Sequence, residues 1–322
     1  MIPLKFVGPF RIRTSQLKPR TSTKSLGKLK RCVILNPKAG SVKDLDAVKK
    51  QLGRLEASSF HLTKNEGAAK AFAREAVRDH CDEIIAAGGD GTLNEVINGI
   101  AKRVGDVRIG LIPLGTGNDF ARCLNLPATL EENIDIVLSG ETTAIDVVRT
   151  KSDRIRYFVN VSAGGFSGLA NEKLTPELKR TWGPLAYLRS AAAALPQLRS
   201  YRTAVRLGTK ETFSVDLYNV VIANGRFAAG GLPIAPNADP SDGLLDIILI
   251  PERPGSEIPL LAANIVLGNH LDADAVVFRR AARVSIRSRP GMWFTVDGEL
   301  IGNDPIVFEV MPRALQFVVG KR

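Results

Sequence analysis

Between Arg31 and Leu124 the chain repeats one unit four times: a short apolar run, a turn rich in glycine, asparagine or aspartate, and a helical period. The apolar runs cover residues 32–35, 60–63, 83–87 and 109–113, and the helical periods cover 42–55, 68–78, 92–101 and 119–124. Strands separated by single helices need crossover connections, so the pattern predicts α/β architecture: a doubly wound, mostly parallel sheet with helices on both faces. In such a sheet the strand C-termini line one edge, where ligands bind.

From residue 144 the texture changes to short β-rich runs at 145–149, 156–162, 203–207, 213–223, 244–250, 276–278, 283–288, 293–296, 306–310 and 315–319. Turn-bounded strands at this spacing predict an antiparallel sandwich, with helical interruptions at 183–194 and 259–267. The expected organisation is a basic leader over 1–30, an α/β domain over 31–143 completed by 314–322, and a β-rich domain over 144–313. With 44% hydrophobic and 24% charged residues, the body buries a core. Nine of the eleven net positive charges fall in the first thirty-one residues, which contain no acidic residue. A cationic tail on a near-neutral body is not the spread basic face of a nucleic-acid-binding domain. Cys32, Cys81 and Cys123 have neither disulfide-framework nor zinc-site spacing, which suits a reducing, cytoplasmic setting. The uncharged, mostly apolar stretch 258–271 is interrupted by Asn264 and Asn269 and falls short of the roughly 20 apolar residues that span a bilayer.

Three turns fall on the predicted ligand edge. Asn36-Pro37-Lys38-Ala39-Gly40 ends the first strand, Gly88-Gly89-Asp90-Gly91-Thr92 the third, and Pro113-Leu114-Gly115-Thr116-Gly117-Asn118-Asp119 the fourth. Glycines let main-chain N–H groups approach an anion, and a following helix start offers unpaired donors and a positive dipole end. A single such turn could equally be a tight strand-to-helix connection capped by Thr92; three in register point to phosphate. Asp90 inside a phosphate site requires an intervening cation. There is no Walker-type loop and no dinucleotide fingerprint.

These three motifs, extended by Leu93-Asn94-Glu95-Val96 and Phe120-Ala121-Arg122 and joined by a late Asp297-Gly298-Glu299, resemble the lipid kinases of the diacylglycerol kinase catalytic-domain family. The resemblance runs from about residue 31 to 319. It implies ATP bound between an α/β domain and a β-rich lipid domain, with phosphoryl transfer to a lipid hydroxyl. It assigns nucleotide contacts to Asn36, Pro37, Lys38, Ala39, Gly40, Thr63, Gly88, Gly89, Asp90, Gly91, Thr92, Leu93, Asn94, Glu95, Gly115, Thr116, Asn118, Asp119 and Lys179. Asp90 and Asp119 would organise metal and phosphates, and Asp146 would be an interdomain acid. Where relatives often carry a basic residue after the first loop glycine, this chain has Ser41, with Lys38 or Lys43 as substitutes. The loop Asp239-Pro240-Ser241-Asp242-Gly243-Leu244 resembles one that holds a structural Mg²⁺, to which Asp242 would give its carboxylate and Asp239 and Leu244 their main-chain carbonyls; a plain acidic turn is the alternative.

A hydroxyl attacking phosphorus must lose a proton, and Asp297 with Glu299 supplies carboxylates two residues apart, although Asp-Gly is also a common hairpin turn. The reading is a lipid kinase using ATP and Mg²⁺ on diacylglycerol, with sphingosine-, ceramide- or monoacylglycerol-like alcohols, or a non-catalytic relative, as alternatives. Expected partners are the membrane lipid and an anionic membrane surface met peripherally, with no nucleic acid; a homodimer is compatible. The leader reads as a membrane-binding arm, a solubilising tail or a targeting peptide.

Overall fold

The computed structural model describes residues 29–165, 198–209, 211–272, 274–296, 299–302 and 305–320. Strands β1 (Arg31–Leu35), β2 (Ser59–Leu62), β3 (Glu83–Gly88) and β4 (Arg108–Pro113) are parallel, in the order β2-β1-β3-β4. Between and after them lie α1 (Leu45–Leu52), α2 (Ala68–Arg78), α3 (Asp90–Ile100), α4 (Asp119–Cys123) and α5 (Leu130–Ser139). Strand alternation sorts the apolar side chains onto two faces. Cys32, Ile34, Ile84, Ala86, Ile109 and Leu111 pack with α2 and α3. Val33, Leu35, Ile85 and Ala87 pack with α1 and α5 on the opposite face. The predicted parallel sheet with helices on both sides is therefore present.

The edge of this sheet away from the glycine turns carries a buried charge row. Glu83 is fully buried and lies in register between Arg31 on β1 and Arg108 on β4. Its two carboxylate oxygens accept from these guanidinium groups, each at 2.7 Å.

The second half is β-rich. It comprises β5 (Thr142–Lys151), β6 (Ile155–Phe158), β7 (Val161–Gly165), β8 (Tyr201–Leu207), β9 (Glu211–Ala223), β10 (Leu245–Pro251), β11 (Val277–Ala281), β12 (Arg283–Arg289), β13 (Phe294–Val296), β14 (Glu299–Ile301) and β15 (Ile306–Val318). Alternate residues of these strands, among them Phe158, Leu217, Ile247, Ile286, Phe294 and Phe308, fill one apolar core. The outer face of β9 and β10 is covered by Ile234, Ala235 and Ala238, with Ile265 of helix α6 (Ile258–Leu267) against it.

Two sequence expectations are corrected. The runs 306–310 and 315–319 are one strand, β15, kept continuous through a register break between Met311 and Leu315 where Arg313 has φ +49°. Its end pairs parallel with β4 while its length pairs antiparallel with β5, so β15 joins the two halves into one sheet. The run 156–162 is instead two strands. The break comes at Asn160, whose carbonyl accepts the N–H groups of Asn224 and Gly225 and whose side chain donates to Phe227 O. The predicted helix at 183–194 lies outside the described residues, as do residues 1–28 of the leader. No helix among the described residues is long and apolar enough to cross a membrane.

Candidate active site

The parallel order brings the ends of β1, β3 and β4 side by side, and main-chain bonds tie their turns together. Asn36 N–H donates to Ala87 O at 2.9 Å, Ser41 N–H to Leu114 O at 2.9 Å, and Leu114 N–H to Gly88 O at 2.9 Å. Thr63, after β2, donates its N–H to Leu35 O at 2.9 Å and so sits beside the first turn. Asn36 Nδ2 reaches Thr92 Oγ1 at 3.4 Å, and Asn36 Oδ1 accepts from Lys38 N–H at 3.0 Å. The first turn, Pro37 to Gly40, thus folds over the start of α3, with Ala39 buried and Gly40 against Thr116.

The second and third turns touch through their glycines. A side chain on Gly115 would put its Cβ 2.5 Å from Gly89 Cα, and one on Gly89 would lie 3.0 Å from Gly115 Cα, so both positions need glycine for loop-to-loop packing. Gly91 differs: a Cβ there would meet no atom within 4 Å. It lies in the first turn of α3, whose N-cap Gly89 provides no side-chain acceptor. The leading N–H groups of a helix have no intrahelical partner, and this end carries the positive dipole.

Several residues predicted to touch nucleotide have protein partners. Asn118, at φ +53°, closes its own loop, accepting from Gly115 N–H at 2.9 Å and donating to Gly115 O at 2.8 Å. Glu95 caps α2, accepting from Gly67, Ala69 and Lys70 N–H groups at 2.8, 2.9 and 3.3 Å. Leu93 is a core residue packed on β-strand side chains.

The aspartates expected to organise metal and phosphates are likewise engaged by main chain. Asp90 accepts from the N–H groups of Asp119 and Phe120, both at 3.1 Å, and so caps α4. Asp119 accepts from Gly230 N–H at 3.0 Å and Gly231 N–H at 2.6 Å, in a loop of the β-rich half. Gly117 leaves room for this arrangement, since a Cβ there would lie 3.3 Å from Asp90 Oδ2 and 3.6 Å from Gly230 Cα. Burial, then the neighbouring Asp90 charge, pushes the Asp119 carboxyl up to about 6, against the opposing pull of the two glycine N–H groups and Arg122. Sequence reasoning missed Gly230 and Gly231; the adjacent glycines after Ala228-Ala229 were the available signal.

Asp146, fully buried on β5, accepts from Gly243 N–H at 2.7 Å and Arg313 N–H at 2.6 Å. It thereby anchors the 239–244 loop expected to hold Mg²⁺. The side chains of that loop have partners within the protein. Asp242 Oδ1 accepts from Leu244 N–H at 2.9 Å and Oδ2 is paired with the Arg280 guanidinium, while Asp239 Oδ1 accepts from Ser241. Of the residues expected to hold the ion, Asp242 thus has both carboxylate oxygens engaged, one by an N–H group and one by a guanidinium. Among the described residues no three His, Cys, Asp or Glu side chains group as a metal centre.

Lys179 and Asp297 lie outside the described residues. Glu299 opens β14, whose pairing with β13 sets Val296 opposite Glu299. A cavity of about 220 Å³ is lined among others by Glu66, Lys70, Asn94, Glu95, Arg156 and Val296. Asn94 follows the Gly-Gly-Asp-Gly-Thr turn, and Val296 immediately precedes Asp297 in sequence.

The family described as Diacylglycerol kinase catalytic domain matches residues 30–150, and the YegS C-terminal NAD kinase beta sandwich-like domain matches 160–319. A Staphylococcus haemolyticus protein named diacylglycerol kinase is 30% identical over 293 residues, covering 90% of this chain and 88% of its own length. A Staphylococcus epidermidis protein of the same name is 31% identical over 293 residues, covering 90% and 92%. A solved structure from Bacillus anthracis strain Sterne superposes with a TM-score of 0.78 at 23% identity, covering 94% of this chain and 98% of that one. Another from that strain, named a diacylglycerol kinase, gives 0.69 at 21% identity, covering 90% and 97%. At those identities the structures bear on the fold alone.

Proposed function

The chain belongs to the diacylglycerol kinase family of lipid kinases, and from that premise we propose that it transfers the γ-phosphoryl group of ATP to the hydroxyl of a membrane lipid, diacylglycerol to phosphatidic acid. The supporting observation is a cavity lined by Asn94 and Glu95, which follow the second glycine turn in sequence, and by Val296, which precedes Asp297 in sequence. In this reading a nucleotide held on the glycine turns meets a lipid hydroxyl served by Asp297 and Glu299.

In this reading the turns at Asn36–Gly40, Gly88–Thr92 and Gly115–Thr116 hold the phosphates chiefly through main-chain N–H groups at the start of α3. Asp90 and Asp119 act one step removed: they hold α4 and the 230–231 loop against those turns. As the lipid oxygen bonds to phosphorus and the bond to the ADP oxygen breaks, the hydroxyl proton passes to the Asp297/Glu299 pair. Mg²⁺ travelling with the nucleotide would neutralise charge on the phosphates. Because a bilayer lipid must be met at the interface, the basic leader is assigned the role of a cationic arm at anionic membranes.

The test is to incubate the purified chain with γ-labelled ATP and a panel of lipid alcohols in mixed micelles, identifying products by mass. Labelled phosphatidic acid is expected. A labelled sphingoid, ceramide or monoacylglycerol product would reassign the acceptor, and no labelled lipid at all would leave a binding protein without this activity.

A further inference from the structure

The loop at 239–244 is a turn crowded with carboxylates, and in this chain the cation beside it is an arginine. Strands β10 and β11 pair antiparallel with Asp246 directly opposite Arg280. From that position the guanidinium bonds two carboxylates at once: Nε donates to Asp246 Oδ1 at 2.8 Å, and the terminal nitrogen pairs with Asp242 Oδ2. Asp246 is 1% exposed, and its second oxygen is buried without a hydrogen-bond partner, so Arg280 is the group that compensates this charge. The rest of the loop is held from below by Asp146, which takes Gly243 N–H and Arg313 N–H and donates its own N–H to Pro240 O at 2.7 Å.

A planar guanidinium presents several donors in a fixed fork, and can bridge two carboxylates that a compact point charge would hold only by coordination. A divalent cation and a guanidinium against the same Asp242 oxygens repel one another. We propose that Arg280 occupies the role of the structural divalent ion, so that the 239–244 loop of this chain is set without bound metal. The claim concerns the loop only, and stands whichever lipid is phosphorylated.

Thermal unfolding of the full-length, nucleotide-free chain tests it. In EDTA and with Mg²⁺ added to about 10 mM, the wild-type midpoint should move by no more than about 1 °C. Arg280→Gln should melt several degrees lower in EDTA and recover part of that loss with Mg²⁺, and the recovery should vanish in Arg280→Gln/Asp242→Asn. A wild-type midpoint that rises with Mg²⁺ and loses the rise in Asp242→Asn would overturn the proposal, as would an Arg280→Gln protein equally stable in EDTA. Should Arg280→Gln not fold, Mn²⁺ titration followed by electron paramagnetic resonance decides on the wild type. The proposal expects no difference in bound Mn²⁺ between wild type and Asp242→Asn, and one ion per chain lost in Asp242→Asn contradicts it.

Discussion

Replacing Gly91 with alanine adds one methyl group to the first turn of α3, in a direction where no atom lies within 4 Å. Gly91 is not among the glycines at positive φ, so alanine meets no backbone strain. Its higher helix propensity should stabilise the fold by roughly 0.5–1 kcal/mol, and the melting temperature should hold or rise. If phosphate oxygens approach this turn's N–H groups, the same methyl group pushes them away. Losing one charge-assisted hydrogen bond costs about 1.5–3 kcal/mol, which is roughly a 10- to 150-fold weaker nucleotide Kd. Gly115→Ala is the contrasting case, with its Cβ 2.5 Å from Gly89 Cα and 2.7 Å from Asn118 Oδ1. There the turns must separate, at an overpacking cost of roughly 1–3 kcal/mol, so stability and affinity fall together. Calorimetric titration with ATP and thermal melts on both variants separate the cases. A folded Gly91→Ala protein with wild-type nucleotide affinity would refute the reasoning.

Other consequences follow from the buried charges and the leader. Asp119 has a folded pKa pushed up to about 6 from 3.8, so its contribution to stability is present below the unfolded value and lost as pH rises through 6. Urea unfolding of wild type relative to Asp119→Asn should therefore show a difference that changes by up to roughly 3 kcal/mol between pH 4 and 6 and is flat above 7; a flat difference throughout would contradict the assignment. Glu83→Gln removes the shared carboxylate between Arg31 and Arg108 and should cost roughly 3 kcal/mol in the same assay, whereas a cost under about 0.5 kcal/mol would mean the row contributes little. A chain starting at Leu29 should keep activity on micelle-dispersed lipid and lose binding to anionic vesicles at low salt, at about 1 kcal/mol per basic residue near the surface. Equal vesicle binding with and without the leader would remove it from the mechanism.

The parallel half was readable because its signals are local: uninterrupted apolar strands bounded by glycine turns, with helices of matching period. Helix α5 was missed, although the Thr129-x-x-Glu132 box, whose side chains bond each other, and the Gly140 cap were available signals. What local pattern cannot report is long-range pairing. The union of residues 306–318 into one strand depends on partners β4 and β5, more than 150 residues away in sequence. The site divides in the same way. The three turns were found from composition, yet which carboxylate faces ligand and which faces main chain is set by loops that meet only in the fold. Asp119 with Gly230 and Gly231, and Asp242 with Arg280, are such cases.

The central claim is that the glycine turns bind nucleotide while Asp297 and Glu299 act on the acceptor hydroxyl. Its most direct test measures phosphoryl transfer and ATP affinity on the same preparations of wild type, Asp297→Asn and Glu299→Gln. The account predicts that kcat falls by roughly 10²- to 10⁴-fold while the ATP Kd stays within about twofold. Wild-type turnover in both variants, or an ATP affinity that collapses in step with turnover, would contradict it.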